Sequence, residues 1–314
     1  MSFRARLRRL FAIPRRSNDI FPTFDSMKCA VLIQAHRGPE QVARLCRALS
    51  HPVFDLYIGV DRKTEIAPFR LAVPSDVRFI RRRIDVRWGA FSQVEATLYG
   101  LEEILKESPL YDFILFISGQ DYPLLPPARI AEELARHPGA QFMCRTRVEE
   151  GTPACDRYRY PHVHFGNRTL TRGINRLLRL VSPGRRKFPL PAAYKGSSWW
   201  TLSGPCAEYV TRYARTHPRV VRFFRRAHCP DEFFFQSIVL DSPFAASVIP
   251  DNFRYVDWSD GRPNPRTLTE ADYDRLAASG CWFARKFDAE QDSRILDRLD
   301  RRLALLSEEA TRTE

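Results

Sequence analysis

No stretch of this 314-residue chain holds the ~18 consecutive apolar residues that a membrane-spanning helix needs, so no such span is expected. No Cys-x-x-Cys pair occurs. The seven cysteines (Cys29, Cys46, Cys144, Cys155, Cys206, Cys229 and Cys281) are scattered and odd in number, which argues against a disulfide framework and a structural zinc site. Reduced, mostly buried thiols in a cytosolic protein are expected instead. Lysine is scarce: six of the 50 basic residues are Lys, the others Arg. The Gly-x-Gly-x-x-Gly turn, the P-loop and His-Glu-x-x-His are all missing, which removes the commonest phosphate cradles and the tightest zinc-ligand spacing. Acid is missing from a whole segment. Between Arg157 and Ala207 there is no Asp or Glu, against ten Arg and Lys residues.

What is present can fill a core: 44% of residues are hydrophobic and 12% aromatic, which excludes wholesale disorder. The net charge of +13 creates a field that draws anions such as nucleotide phosphates, acidic lipids or nucleic acid. Residues 1–26 carry six arginines without an acid and read as a flexible basic tail, able to touch an anionic membrane reversibly. The apolar run Leu10–Ile13 is too short for a signal-peptide core, and Met27, just before the first strand, is an alternative translation start. A basic nucleic-acid-binding protein is the competing class. No RRM, KH, helix-turn-helix or zinc-finger pattern supports it, so nucleic acid is not an expected partner.

Apolar runs of strand length occur at Cys29–Ala35, Leu56–Val60, Arg78–Ile80 and Phe113–Ile117. Between them lie helical spacings over Gln41–Leu49 and from Gln93 onward, the latter behind a Ser92/Glu95 capping-box pattern. Such alternation predicts an α/β fold with a mostly parallel central sheet flanked by helices. In such sheets ligands bind at the carboxyl ends of strands, here carrying His36, Asp61 and the turn Ser118–Asp121. The second half is loop-rich and helical: Ile130–Ala135, Ile174–Leu180, Ala207–Ala214, Arg219–Arg226, Glu232–Leu240, Glu270–Ala278 and Asp292–Leu305 are predicted helices, and Phe142–Cys144 a strand. The expected organisation is a tail (1–26), one domain (27–288) and a C-terminal helix (289–314).

Asp-x-Asp, which holds a divalent ion on the diphosphate in many nucleotide-sugar transferases, occurs only as Asp272-Tyr273-Asp274. That triplet sits in a helical pattern capped by Thr269 and reads as a solvated helical face. Without such an ion, a diphosphate leaving group needs fixed cations. Arg254, in NFRYVDW, and Arg285-Lys286, in CWFARKFD, are wedged among aromatic residues and offer them. The turn Pro230-Asp231-Glu232 precedes the apolar run Phe233–Phe235, so a carboxylate there is a candidate general base, with ordinary helix capping as the alternative. His162 and His164 alternate in YRYPHVHFG and would share one side of an extended strand. Exposed-loop alternation is preferred over metal ligation.

Seven segments in order resemble the core-2/I-branching β-1,6-N-acetylglucosaminyltransferases, a family that includes the peptide O-xylosyltransferases. They are AVLIQAHRG, LYIGVDRKT, VRWGAFSQVEATLYGLEEIL, FILFISGQDYPL, KGSSWWTLSGPCAEYV, CPDEFFFQSIV and WFARKFD. The resemblance implies a GT-A-like, inverting transferase that works without a divalent metal and takes a UDP-sugar as co-substrate. It implies Glu232 as base, Lys286 and Arg254, with Arg285 beside them, on the diphosphate, and Asp61 on the uridine with Trp88 stacking. Gly119, Asp121 and His36 would line the donor site, and Ser197, Trp199 and Trp200 the acceptor cleft. N-acetylglucosamine is the expected sugar, xylose the alternative. Lacking an anchor, a stem and cysteine pairs, the chain is expected to be a bacterial, cytoplasmic relative, peripheral at most to the membrane. Its acceptor would be a glycan or lipid-linked glycan, anionic or presented at an anionic surface beside the Arg157–Ala207 segment.

Overall fold

The computed structural model describes residues 27–108, 110–165, 168–182 and 186–313; the expected tail (1–26) and Arg185 lie outside them. Four of the apolar runs become parallel strands: β1 (Cys29–Ala35), β2 (Phe54–Val60), β3 (Arg78–Phe79) and β4 (Phe113–Ser118), in the order β4-β1-β2-β3. β1 and β4 are buried on both faces, which is why they read as continuous apolar runs. Alternate residues of β1 feed two cores. Cys29, Val31 and Ile33 meet Val42 and Leu45 of the helix Pro39–Ala48, whereas Ala30 and Leu32 meet Val94, Leu101 and Ile104 of the helix Ser92–Glu107.

The sheet continues beyond β4 in the opposite sense. β9 (Trp200–Ser203) runs antiparallel to β4 and to β6 (Gln141–Phe142), and β10 (Val248–Ile249) closes the far edge. This corrects one expectation. Trp200 does not line an acceptor cleft: it is 1% exposed, with its ring 5.2 Å from Phe116 and 5.1 Å from Phe235. A second sheet, β11 (Arg254–Val256), β12 (Phe283–Arg285) and β5 (Asp121–Pro123), lies beyond the carboxyl end of β4, and β7 (Thr146–Arg147) pairs with β8 (Tyr194–Lys195). The helix Arg294–Thr313 closes the first core with Ile295, Leu296 and Leu299.

Other departures are local. Ser92 and Glu95 form no capping box: the Ser92 hydroxyl accepts from the Arg87 amide (2.8 Å), and Glu95 pairs with Arg225 (3.1 Å). The expected solvated face holds for Asp274 but not for Asp272, which is 1% exposed. Asp272 closes a capping box with Thr269 and pairs with Arg266 (2.6 Å), while Asp274 faces solvent. Helices Ala67–Ala72 and Pro153–Arg159 were not anticipated. All seven cysteines are free thiols, and no described helix is long and apolar enough to cross a membrane.

Two glycines are fixed by close approach. A Cβ at Gly119 would meet Val42 Cγ2 at 2.7 Å, so this residue seats the turn after β4 against the first helix. At Gly196 a Cβ would fall 1.8 Å from the Cys144 carbonyl oxygen, while the Gly196 amide donates to the Glu232 carbonyl (2.9 Å).

Candidate functional site

β1 has β2 on one side and β4 on the other, so chain direction through the sheet switches there and a crevice opens at the strands' carboxyl ends. His36 follows β1 and Asp61 follows β2. Asp61 is held by its neighbour: Lys63 donates to it from its backbone amide (2.9 Å) and from Nζ (2.8 Å), and Nζ also reaches Asp85 (2.9 Å). Burial holds the His36 imidazole below its usual pKa, reinforced by Arg37 and opposed by Asp61, with Lys286 and Lys63 adding repulsion. His36 therefore senses the charges of two other expected donor-site residues, Asp61 and Lys286.

The floor is Asp121, a wholly buried carboxylate opening β5. The Ser118 hydroxyl and amide donate to it (2.8 and 3.2 Å). Arg254 and Arg285 reach it from the other two strands of the small sheet, with their Nε atoms at 3.1 and 3.5 Å. Asp121 faces Arg285 directly in the β5–β12 ladder, so the sheet itself sets this pairing. Arg254 is thus a buried cation under the crevice, its side chain 3% exposed, rather than one presented at the surface. Burial lowers the pKa of both guanidinium groups, and the Asp121 charge opposes the shift. Arg285 also lies over the Trp199 ring at 4.6 Å, joining an expected donor residue to an expected acceptor residue. Lys286 follows directly. Burial lowers its pKa, and Arg37 pushes in the same direction. Among the described residues it has no ion-pair partner.

Glu232 lies in the 3-10 turn Pro230–Glu232, entered through Cys229 with a left-handed backbone (φ 49°). Its Oε2 accepts from Arg157 Nη1 (2.8 Å) and faces Lys195 Nζ (3.3 Å), while Oε1 has no polar partner among the described residues. Arg157 and Lys195 are the first and the last cation of the acid-free segment, a link invisible in the sequence. Asp231 was expected to cap the following helix, but that helix starts at Phe234 and no side chain caps it. The Asp231 carboxylate instead accepts from the Ser198 hydroxyl (2.5 Å), and burial pushes its pKa up to about 6. Ser197 is bonded through its carbonyl to Gln236 (2.6 Å) beside this turn.

Trp88 was the expected stacking residue. It is 60% exposed, and its ring partner among the described residues is His228, edge-on at 5.7 Å. An open cavity of about 440 Å³ lies near this loop, lined among others by Arg62, Arg82, Asp85, Arg87, His164 and Arg225.

Residues 30–277 match the Core-2/I-Branching enzyme family. The chain belongs to that family. Xylosyltransferase oxt of Drosophila melanogaster is 24% identical over 304 residues, covering 84% of this chain and 32% of that protein. Human xylosyltransferase 1 is 23% identical (86% and 30% covered) and mouse xylosyltransferase 2 is 26% identical (87% and 33%). The chain spans about a third of the length of these curated relatives. Among solved structures, mouse xyloside xylosyltransferase 1 in its apo form is similar at a TM-score of 0.37 and 13% identity, over 82% of this chain and 96% of that one.

Asp231 yields a stability prediction with a definite sign. Its folded pKa of about 6 lies above the usual 3.8, so the folded state holds the extra proton between those values and stability falls as pH rises through that window. The unfolding free energy of the parent relative to Asp231→Asn is expected to fall by ~2 kcal/mol between pH 4 and pH 6. Denaturant titrations of both proteins across that range check it, and parallel curves would remove the buried, proton-holding Asp231.

Proposed function

We propose that this family member is a GT-A-type glycosyltransferase that moves a sugar from a UDP-sugar to a glycan hydroxyl, with inversion and without a divalent ion on the diphosphate. The observation that carries the proposal is the charge around Lys286. A half-buried ammonium with no ion-pair partner among the described residues sits near Arg37 and Arg285, and burial with Arg37 disfavours its cationic form more than the Asp288 charge favours it. A diphosphate is an anion whose charge grows as it leaves, so Lys286 and Arg285 would stabilise the transition state more than the bound donor. Arg254 acts from beneath, keeping Arg285 and Asp121 in place.

In the proposed reaction Glu232 takes the proton of the acceptor hydroxyl through Oε1, while Arg157 and Lys195 fix the carboxylate through Oε2. The acceptor oxygen forms a bond to the anomeric carbon as the bond to the diphosphate breaks. A single displacement of this kind inverts the configuration. Asp61 is proposed to bind the uridine, and Trp199 with Ser197 to border the acceptor. N-acetylglucosamine was the expected sugar, but the relatives named above are xylosyltransferases, which favours UDP-xylose. A screen of UDP-xylose, UDP-N-acetylglucosamine, UDP-N-acetylgalactosamine and UDP-glucose separates them.

Contact with an anionic membrane gains support from the helix Arg168–Val181. Leu170, Leu177, Leu180 and Val181 are exposed on it, and Leu180 keeps 78% of its surface. Arg172, Arg176 and Arg179 fall on the opposite side, where Arg179 pairs with Asp156 and lies 4.7 Å over Tyr160. An exposed apolar stripe backed by an arginine face is the pattern of an interfacial helix. Not every cation of the segment is free for this. Arg186 donates to the Arg226 carbonyl (2.7 Å) and lies 4.0 Å over Phe223, so it holds the fold, whereas Lys187 is exposed.

Glu232→Gln is expected to keep UDP binding and lower turnover by ~10²–10⁴, the range for a lost general base. Turnover in the parent is expected to be indifferent to added or withheld Mg²⁺ and Mn²⁺. Strict dependence on either ion would overturn the metal-free diphosphate site. For the membrane contact, Leu177→Asp/Leu180→Asp should lose sedimentation with anionic phospholipid vesicles at low salt while UDP affinity stays unchanged. Equal sedimentation of variant and parent would contradict it.

A further inference from the structure

Three histidines outside the proposed transfer machinery converge. His162 and His164 come from the loop before the helix Arg168–Val181, and His228 from the run leading into the Glu232 turn. One ring nitrogen from each lies within 4.8 Å of the others. The ring centroids are 4.5 Å (His162–His228), 4.6 Å (His162–His164) and 5.8 Å (His164–His228) apart. His164 Nε2 and His228 Nδ1 are buried and have no hydrogen-bond partner, which ordinary packing leaves unexplained. Asn175 Nδ2 lies 3.2 Å from His162 Nε2 and holds that loop through the Val163 backbone (2.9 Å).

We propose that His162, His164 and His228 form a three-imidazole site for a borderline divalent transition ion of the Zn²⁺ class, with the fourth position open. All-nitrogen donors suit Zn²⁺ and disfavour Mg²⁺ or Ca²⁺. Ligation at ~2.0–2.1 Å requires the rings to close in slightly. Gly89 permits this approach: its φ is +72°, and a Cβ there would already stand 3.0 Å from His228 Cε1 and 3.4 Å from His164 Cε1. Burial and mutual repulsion hold His162 and His164 at about 4, so their rings are neutral at physiological pH, the form that ligates. His228 is held below its usual value by burial and by Arg157, with Glu232 opposing. Arg87 beside His164 also weakens attraction of a dication, so the binding comes from the nitrogen lone pairs, not from the field.

The ion would tie together two segments that backbone bonds already bring close to each other and to the Gly89 turn. The His228 amide donates to the Arg157 carbonyl (2.7 Å), the Cys229 amide to the Gly89 carbonyl (2.8 Å), and Trp88 rests on His228. It is a staple on the turn that carries Glu232, built from residues separate from Lys286 and Arg285, and it requires no sugar transfer to be detected.

The test is Co²⁺ titration of the full chain after chelation and desalting, followed by visible absorption at neutral pH. The expected result is a saturable one-to-one spectrum of tetrahedral intensity, without a thiolate charge-transfer band, displaced by Zn²⁺ and lost in His164→Gln and in His228→Gln. Zn²⁺ should also raise the thermal midpoint of the parent and not of the variants. Two variants on different loops guard against a single misfolded protein, and far-UV circular dichroism confirms that each is folded. No spectrum, a thiolate band from the free cysteines, or an unchanged spectrum in folded variants would each overturn the site.

Discussion

The site hangs on one buried carboxylate. Asp121 has no exposed surface, accepts from Ser118 within its own turn, and pairs with Arg254 and Arg285 from two other strands. Removing one partner from a buried ion pair typically costs ~3–5 kcal/mol, because the other charge is left without compensation. Here one anion serves two cations, so the cluster keeps net positive charge even when intact. The small sheet β11-β12-β5 can be understood in these terms. It carries Arg254, Arg285 and Lys286, from a distant part of the chain, to the carboxyl end of β4, where the main sheet opens its crevice.

That surplus charge is what the proposed anionic ligand would meet in the crevice. Arg254 is locked and buried, Arg285 bridges Asp121 to Trp199, and Lys286 is left over. The opposite wall inverts the arrangement. There one glutamate, Glu232, receives two cations, Arg157 and Lys195, on a single oxygen. In the proposed reaction the cations would face the diphosphate and the restrained carboxylate the acceptor, the charge distribution that a base-assisted displacement needs.

Much of the fold was legible in the residues because it is carried by local pattern. β1 appears at its full length as CAVLIQA, and FILFI marks all of β4 but its last residue, since a parallel strand covered on both faces must be apolar throughout. Asp272-Tyr273-Asp274 was readable as helix because Thr269 caps it. What escaped is non-local. Strand β9 was hidden in KGSSWWTLS, where two adjacent tryptophans alternate: Trp200 into the core and Trp199 beneath Arg285. The Asp121–Arg285 pairing is set by a strand ladder that no spacing reveals. Asp231 could be mistaken for a cap because a 3-10 turn delays the helix to Phe234. His228 could not be joined to His162 and His164 by spacing, since a separate loop delivers it.

The most direct test of the central claim is calorimetric titration of UDP into the metal-free chain in two buffers of different ionisation enthalpy. If Lys286 awaits the diphosphate, its pKa rises on binding. UDP should then bind without divalent ion and take up protons as the pH approaches the lysine range, an uptake absent from Lys286→Ala. Binding that appears only with Mn²⁺ or Mg²⁺, or proton uptake identical in parent and Lys286→Ala, would contradict the cationic site described here.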